Sequence, residues 1–176
     1  KKKTGIRGRE MKMLEKERIL LAEDDQGLAE LLCEELEEAG YETRMAPSAE
    51  AAEELFKTWE PDLVISDLKL PGADGMALLE KAKETYVQPG FLIITAFGSI
   101  PQAVTALKSG ADDFLAKPLD LEHFRLSVQR ILDHRRLQKE VRRFRELMNA
   151  DGFQGMFGRI RKIRVMFDQL REIAPA

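Results

Sequence analysis

The chain has 176 residues, of which 44% are apolar and 34% are charged, with a net charge of −3 and an isoelectric point near 5.6. This composition predicts one folded domain plus additional chain, and it argues against a protein whose main role is to coat nucleic acid. The single cysteine, Cys33, excludes an internal disulfide and indicates a reducing, cytoplasmic setting, and no apolar run approaches the length of about 18 residues that a membrane helix needs.

The first 17 residues are predicted to be a disordered leader or a vector-derived tag. They open with Lys1, Lys2 and Lys3 and continue with polar residues. A signal peptide would instead continue with an apolar segment, so no secretory signal is expected here.

From Arg18 onward, the hydrophobic pattern alternates between strand and helix. The predicted strands cover residues 18–22, 41–45, 63–66, 91–95 and 113–116. The predicted helices run from Asp25 to Gly40, over residues 49–59, from Met76 to about Tyr86, over residues 99–109, and from Asp120 to about Met148. Strands separated by helices of this length indicate a parallel sheet with helices on both faces, because right-handed crossovers place them there.

Polar side chains recur where the predicted strands stop. These residues are Glu23, Asp24, Asp25, Asp67, Thr95 and Lys117. In a parallel sheet they would all gather at the carboxyl edge, which is where open α/β sheets bind ligands.

The acidic residues of this group predict a metal site. Several carboxylates at one edge repel one another, and a divalent cation removes that repulsion. Oxygen ligands favour Mg²⁺, which keeps water ligands and recruits a phosphate. Asp67 would then attack a phosphorus centre and form an aspartyl phosphate, with charge neutralisation by Lys117 and a hydrogen bond from the Thr95 hydroxyl.

Each of these residues also has a purely structural interpretation, as a helix cap, a turn former or an ordinary strand or loop residue. Their coincidence at successive strand ends favours the functional interpretation. Other reactive side chains are assigned to structure: Cys33 to the core, and His123 and His134 to the surface or an interface. No carboxylate or cysteine stands near either histidine at metal-ligand spacing.

Residues 18 to about 132 resemble a response-regulator receiver domain. The resemblance is carried by the acidic cluster after the first strand, by Asp67 with the turn that follows it, by the segment around Thr95, by the run Gly110–Leu115, and by Lys117 with Pro118. It implies an α/β fold of the flavodoxin-like or CheY-like type. This is a doubly wound, five-stranded parallel sheet with strand order 2-1-3-4-5, here with an extended C-terminal helix.

The resemblance implies the metal site in detail. Asp67 would be the phosphoacceptor and also a Mg²⁺ ligand, together with Asp24. Glu23 would act through a water molecule, and the backbone carbonyl of Lys69 would complete the protein's share of the ligands. Asp25 is left as the helix cap, and its contribution to the metal site stays open.

The resemblance also implies a switch. Thr95 and Phe114 match the family's switch pair, in which the hydroxyl moves toward the phosphoryl group and the aromatic ring turns inward. Lys117 would contact the phosphoryl group, and its bond to Pro118 would be cis, a geometry that proline makes accessible.

The long final helix is predicted to have two differently packed halves. Its first half carries an apolar stripe for packing on the sheet, and its second half reads as a short coiled-coil seam. The alternative for the second half is a solvated extension lying against its own domain. The first stripe consists of Leu121, Phe124, Val128 and Ile131, and the second of Leu137, Val141, Phe144 and Met148.

The C-terminal residues suggest a subfamily. Residues 153–176 resemble the opening helix of the AAA+ ATPase module in NtrC-like transcription activators; the alternative is an unrelated amphipathic helix. They contain no Gly-x-x-x-x-Gly-Lys-Ser/Thr loop, so ATP binding is not expected of them. The predicted organisation is a leader or tag at 1–17, a receiver core at 18–119, a final helix continuing as a coiled-coil linker at 120–149, and a truncated start of an AAA+ module at 150–176.

The predicted function is a phosphorylation-dependent signalling switch. A sensor histidine kinase would phosphorylate Asp67, and the switch pair would reshape a homodimer surface made by the helix at 99–109, the last strand and the long helix. The dimer arrangement would control an attached transcription-activating ATPase, with a DNA-binding domain expected in the full-length protein. The domain would catalyse only its own phosphorylation and dephosphorylation. No contact with a membrane is expected.

Two other functions compete with this prediction. A haloacid-dehalogenase-type phosphotransferase also uses a strand-end aspartate with Mg²⁺, but it needs a second aspartate where this chain has Lys69. A nucleic-acid binder would use the basic stretch between Arg135 and Arg145. Glu140 and several apolar residues interrupt that stretch, which favours a helix–helix interface.

Overall fold

The computed structural model describes residues 16–72, 74–85, 88–96 and 100–150. The strands are β1 (Arg18–Ala22), β2 (Glu42–Ala46), β3 (Leu63–Asp67), β4 (Gly90–Ala96) and β5 (Asp113–Lys117). The helices are α1 (Gln26–Glu38), α2 (Ala49–Trp59), α3 (Gly75–Lys83), α4 (Ile100–Lys108) and α5 (Leu121–Ala150). Among these residues, no helix combines the length and the apolar character that crossing a bilayer requires.

The five strands form one parallel sheet in the order β2-β1-β3-β4-β5, which confirms the predicted fold class and strand order. In the pairing register, Ala22 lies beside Ser66 and Asp67 lies beside Ile94. The carboxyl ends of the central strands therefore stop at the same level. This register brings residues that are distant in sequence to one edge.

Two apolar layers cover the sheet, one on each face. Side chains alternate between the layers along each strand, so Leu20 packs with α2, α3 and α4 while Leu21 packs with α1 and α5. Burial on both faces explains why the central strands β1, β3 and β4 are nearly continuous apolar runs, whereas the edge strand β2 is largely exposed.

The predicted helix starts coincide with side-chain caps. Asp25 accepts a hydrogen bond from the backbone N–H of Leu28 at 3.0 Å, which confirms its predicted role as a cap. Ser48 caps α2 in the same way, and Asp120 accepts from the N–H of His123 at 2.7 Å at the start of α5. These bonds satisfy backbone donors that the first helical turn leaves without partners.

Several predicted boundaries differ from the structure by one to three residues, and two of the differences have a visible cause. The strand predicted at 41–45 is found at Glu42–Ala46, because the N–H of Tyr41 donates to the carbonyl of Leu36 and still belongs to the end of α1. The helix predicted to run to about Tyr86 ends at Lys83, where side chains of Thr85 and Gln88 bind carbonyls of the last turn.

The helical spacing of Leu28, Leu31, Leu32 and Leu36 predicts a buried face that includes Leu31, but this is wrong for Leu31, whose side chain is 43% exposed. The face of α1 that packs on the sheet consists of Ala29, Leu32, Cys33 and Leu36. The predicted burial of Cys33 is confirmed.

The first half of α5 packs on the sheet as predicted. Phe124, Val128 and Ile131 are buried, and Leu121 is partly buried. In the second half, Leu137 and Val141 are exposed, and the side chains of Phe144 and Met148 lie outside the described residues. The coiled-coil seam therefore stays a prediction.

The chain separates into two compact units, Lys1–Arg135 and Arg136–Ala176, and the whole sheet belongs to the first. Residues 1–15 and 151–176 lie outside the described part of the chain. The predicted leader and the predicted AAA+ fragment fall largely within those ranges, so the predicted domain boundaries stay predictions.

The amino ends of the strands carry a second group of polar contacts, around Trp59. The Arg18 guanidinium donates to the carbonyl of Trp59 at 2.5 Å, and the Arg18 N–H donates to the carboxylate of Asp62 at 2.9 Å. The guanidinium carbon of Arg44 lies 4.8 Å from the centroid of the Trp59 ring, within cation–π range. These contacts fix the buried indole at the amino edge of the sheet.

Candidate functional site

Three carboxylates meet at the carboxyl edge of the sheet. Glu23 and Asp24 follow β1, Asp67 ends β3, and one oxygen from each of the three lies within 4.8 Å of the others. Glu23 and Asp67 are buried, at 3% and 8% exposure, while Asp24 is exposed. Pairing of β1 with β3 produces this cluster, since the residues that follow paired positions emerge side by side.

Lys117, the last residue of β5, reaches across the edge to the two buried carboxylates. Its Nζ lies 2.5 Å from Asp67 Oδ2, and 3.0 and 2.8 Å from the two oxygens of Glu23. Three carboxylates and one ammonium leave a formal charge of −2 in the cluster. The Lys117–Pro118 bond is cis, as predicted.

Burial together with the neighbouring charges shifts the pKa of two members of the site. Burial raises the pKa of Glu23 above its usual value of 4.5, and the hydrogen bonds and charge of Lys117 oppose this only in part. For Lys117, burial acts to lower the pKa, but the hydrogen bonds and charges of Asp67 and Glu23 outweigh it. Its pKa is therefore raised above 10.5, and the ammonium form is favoured.

The carboxylate and backbone of Asp67 are held by contacts with Lys69, Ser66 and Gly75 that the sequence pattern does not predict. The N–H of Lys69 donates to Asp67 Oδ1 at 2.8 Å, and the buried Ser66 hydroxyl donates to the Asp67 carbonyl at 2.8 Å. Gly75 packs directly on the same carbonyl, since a Cβ there would collide with it and lie 2.9 Å from Ser66 Oγ. The Asp74-Gly75 pair was a visible sequence signal, although its spacing alone does not reveal this contact.

Thr95 and Phe114 lie on the neighbouring strands β4 and β5. Thr95 is fully buried, and its hydroxyl donates to the carbonyl of Ala96 at 3.2 Å. Phe114 is partly buried and packs on the apolar layer that includes α2, α3 and α4. The predicted movement of this pair stays a prediction.

The remaining candidates are not members of the carboxylate cluster. Asp25 is engaged as the cap of α1 and also donates its N–H to Glu23 Oε1 at 3.2 Å. His123 and His134 are exposed on α5. Asp67, Thr95 and Lys117 are the last or next-to-last residues of their strands, one position further inside the sheet than predicted, because ladder pairing continues through them.

The donor set of the cluster fits a small divalent cation. All its members are hard oxygen donors, two of them are fixed by burial, and the third is open to solvent. Few protein carboxylates and access to water match the coordination that Mg²⁺ prefers. The carbonyl of Lys69 is the neighbouring backbone oxygen predicted to add to this set.

The family model described as the response regulator receiver domain matches residues 19–129. The chain belongs to the response regulator receiver family. The match covers every residue of the cluster and the two switch positions. The haloacid-dehalogenase alternative, which concerned Asp67, does not describe this part of the chain. The nucleic-acid alternative concerned the stretch between Arg135 and Arg145, outside the match, and stays a prediction.

Several curated relatives of this receiver are transcriptional regulators. AtoC of Escherichia coli is 31% identical over 76% of this chain and 29% of its own length. The nitrogen assimilation regulatory protein NtrX of Azorhizobium caulinodans is 30% identical over 86% of this chain and 34% of its own length. The C4-dicarboxylate transport transcriptional regulatory protein DctD of Pseudomonas aeruginosa is 38% identical over 72% of this chain and 28% of its own length. The chain spans about a third of these relatives. They are NtrC-type regulators, which confirms the predicted NtrC-like character of the receiver.

Solved structures give the same fold. NtrX of Brucella abortus superimposes with a TM-score of 0.69 at 32% identity, over 74% of this chain and 30% of that one. A CheY-like response regulator receiver domain protein from Methanospirillum hungatei superimposes with a TM-score of 0.67 at 27% identity, over 70% of this chain and 99% of that one. The second match is a receiver over almost its full length.

Proposed function

We propose that Asp67 is the phosphoacceptor of this receiver and that its phosphorylation is the signal that the domain transmits. The observation that supports this most strongly is the convergence of Asp67 with Lys117 and two further carboxylates at one edge of the sheet. A carboxylate placed among an ammonium and metal-ligating oxygens is suited to accept a phosphoryl group.

In the proposed reaction, a carboxylate oxygen of Asp67 forms a bond to phosphorus while the phosphorus–nitrogen bond of a donor phosphohistidine breaks. The electron pair of that bond returns to the imidazole nitrogen. The Lys117 ammonium, already 2.5 Å from Asp67, balances the negative charge on the transferred oxygens. The Lys69 N–H fixes the carboxylate through Oδ1, which orients the group before transfer. Hydrolysis of the acyl phosphate by water reverses the state.

Asp24, Asp67, the Lys69 carbonyl and, through water, Glu23 would hold Mg²⁺ in this proposal. The bound ion supplies Lewis-acid neutralisation of phosphoryl oxygens. The formal charge of −2 in the cluster is the physical reason to expect a divalent ion, because it leaves repulsion that Lys117 does not remove.

Phosphorylation would then act through Thr95 and Phe114. A phosphoryl group beside Thr95 offers its hydroxyl a stronger acceptor than the 3.2 Å bond to Ala96, because hydrogen bonds to charged oxygens are shorter and stronger. Movement of that hydroxyl frees space into which the partly buried ring of Phe114 can turn. The surface of α4, β5 and α5 would change as a result.

The partners follow from the family and from the relatives. We propose a sensor histidine kinase as the phosphoryl donor, a cytoplasmic location for this receiver, and a homodimer through α4, β5 and α5. In the full-length protein, the dimer would control an AAA+ module and a DNA-binding domain. This proposal rests on the NtrC-type relatives, of which the chain spans only about a third.

Phosphorylation is tested by incubating the chain with acetyl phosphate and Mg²⁺ and measuring its intact mass. We expect the wild type to gain one phosphoryl group that is labile to base, and Asp67→Asn to gain none. Asp113→Asn, which alters a carboxylate at the start of β5, is the matched control and should be modified at the wild-type rate. An adduct of equal yield on Asp67→Asn would refute the assignment.

The metal site is tested by calorimetric titration of Mg²⁺ into two neighbouring variants. Asp24→Asn removes a proposed ligand and should weaken binding by about tenfold or more. Asp25→Asn changes the adjacent acid but preserves a cap, since asparagine caps helices as well as aspartate does. Equal weakening in both variants would show that Asp24 is not a specific ligand and that only the net charge matters.

A further inference from the structure

Asp112, just before β5, forms two hydrogen bonds with the backbone of Phe91 in β4. The N–H of Asp112 donates to the carbonyl of Phe91 at 2.8 Å, and Asp112 Oδ2 accepts the N–H of Phe91 at 2.8 Å. The amino ends of β4 and β5 are thereby joined by a side chain in addition to the strand ladder.

The same oxygen also binds a residue of α5. Arg135 Nη2 donates to Asp112 Oδ2 at 2.6 Å, and the two side chains are only 16% and 14% exposed. The neighbouring pair, Arg130 with Asp113, has a similar length of 2.5 Å, but the Arg130 side chain is 68% exposed. Salt and water screen the exposed Arg130–Asp113 pair more strongly. The electrostatic attraction is therefore stronger in the shielded Arg135–Asp112 pair.

The close approach of α5 to β4 allows the Arg135 side chain to reach Asp112. A Cβ at Gly90 would collide with the side chain of Ile131, and it would lie 3.1 Å from Leu63 Cδ1 and 3.6 Å from Arg135 Cγ. A bare glycine at this position therefore lets α5 lie against the strand. The aliphatic stem of Arg135 passes over it, and the guanidinium ends at Asp112.

We propose that Asp112 and Arg135 form a clamp through which β4 and β5 set the position of α5 at residue 135. The clamp joins the two strands that carry Thr95 and Phe114 to a helix that runs on to Ala150. Its signalling role rests on the proposed function, because the input is phosphorylation of Asp67. Its structural role does not depend on that input.

The clamp is tested first without any phosphoryl group, by hydrogen–deuterium exchange of the full chain. Arg135→Met keeps an apolar stem over Gly90 and removes the charge, so amides of α5 from Ile131 onward should exchange about tenfold faster than in the wild type. Asp112→Asn keeps an acceptor for the Phe91 N–H but loses the ion pair, and it should give the same change. Arg130→Met, which breaks the exposed pair, is the matched control and should match the wild type.

The second measurement repeats the exchange with beryllium fluoride and Mg²⁺, which mimic the aspartyl phosphate. In the wild type and in Arg130→Met, the mimic should alter exchange in α5 beyond Arg135. In Arg135→Met that response should be lost, while the rate of phosphorylation by acetyl phosphate stays at the wild-type value.

The outcomes separate the clamp from the proposed function. Equal exchange of Arg135→Met and Arg130→Met in the absence of the mimic would overturn the clamp, whatever happens at Asp67. A full response of α5 to the mimic in Arg135→Met would overturn its role in transmission. Failure of the wild type to form a phosphoryl adduct would instead count against the assignment of Asp67. The exchange rates of Arg135→Met and Arg130→Met without the mimic would still decide whether the clamp exists.

Discussion

At the scale of single residues, the chemistry of this receiver depends on one lysine that serves two carboxylates. Lys117 contacts both Glu23 and Asp67, and these two acids are buried while Asp24 is not. Removal of the ammonium would leave two buried carboxylates without their main cation. An unpaired buried charge costs more free energy than a paired one gains.

We expect Lys117→Met to lower the free energy of unfolding by about 1 to 3 kcal/mol at neutral pH, as measured by urea denaturation without metal. Adding Glu23→Gln to this variant should restore part of the loss, because it removes one of the two stranded charges. Lys57→Met, which breaks an exposed pair with Glu54, is the control and should leave stability unchanged. Additive effects of Lys117→Met and Glu23→Gln would contradict the coupling.

The raised pKa of Lys117 predicts a pH dependence with a definite sign. Because its pKa in the folded protein lies above the usual 10.5, the lysine's contribution to stability is complete below pH 10.5 and is lost as the pH rises through the folded value. The stability difference between wild type and Lys117→Met should therefore shrink above pH 10.5. A difference that stays constant as alkali is added would show that the ammonium is not its source.

At the scale of elements, the loop from β3 to α3 is fixed by contacts that hydrophobic periodicity does not encode. Strand ends and caps were predictable, because Asp67 follows an apolar run and Asp25 precedes a helical one. The contact of Gly75 with the Asp67 carbonyl was not, since it depends on how closely two elements approach. The exposure of Leu31 escaped prediction for a related reason. It lies next to the buried Leu32, and one residue turns a helix by about 100°.

We expect Gly75→Ala to lower the free energy of unfolding by about 1 to 3 kcal/mol, because its methyl group must displace the Asp67 carbonyl or the start of α3. It should also slow phosphorylation by acetyl phosphate, since the carboxylate moves with its backbone. In Gly27→Ala, the matched control, the new Cβ would lie 3.5 Å from Asp25 Oδ1, an ordinary contact. That variant should be neutral or slightly more stable. If Gly75→Ala were phosphorylated at the wild-type rate, Gly75 would have no role in positioning the Asp67 carboxylate.

At the scale of the whole molecule, the two faces of the sheet are both covered, so signalling surfaces must lie on the helices and at the edges. The strand order and the location of the site at the carboxyl edge followed from the sequence pattern together with the family resemblance. The Asp112–Arg135 clamp did not, because nothing in the spacing of an aspartate and an arginine 23 residues apart shows that they meet. Val104 on α4 and Leu126 on α5 are exposed apolar side chains on the two helices of the proposed dimer surface, and they are its candidate contacts.

We expect the beryllium fluoride mimic to promote dimerisation of the chain in sedimentation velocity, and Leu126→Arg to weaken that dimer by about tenfold or more, because it places charge where an apolar contact forms. Leu126 is 58% exposed in the protomer, so the substitution should not affect folding. Leu31→Arg replaces another exposed leucine, on α1, and should dimerise as the wild type does. Unchanged dimerisation of Leu126→Arg would place the interface elsewhere.

The setting of Trp59 determines what a spectroscopist can read from this protein. Its indole is the single one in the chain, and it lies against Arg18 and Arg44 at the end of the sheet away from Asp67. Emission from this fluorophore should therefore stay nearly constant when the aspartate is modified and change sharply when β1 and α2 separate. It is a built-in probe of global unfolding, and a reporter of the phosphorylated state would need a dye attached near the opposite edge.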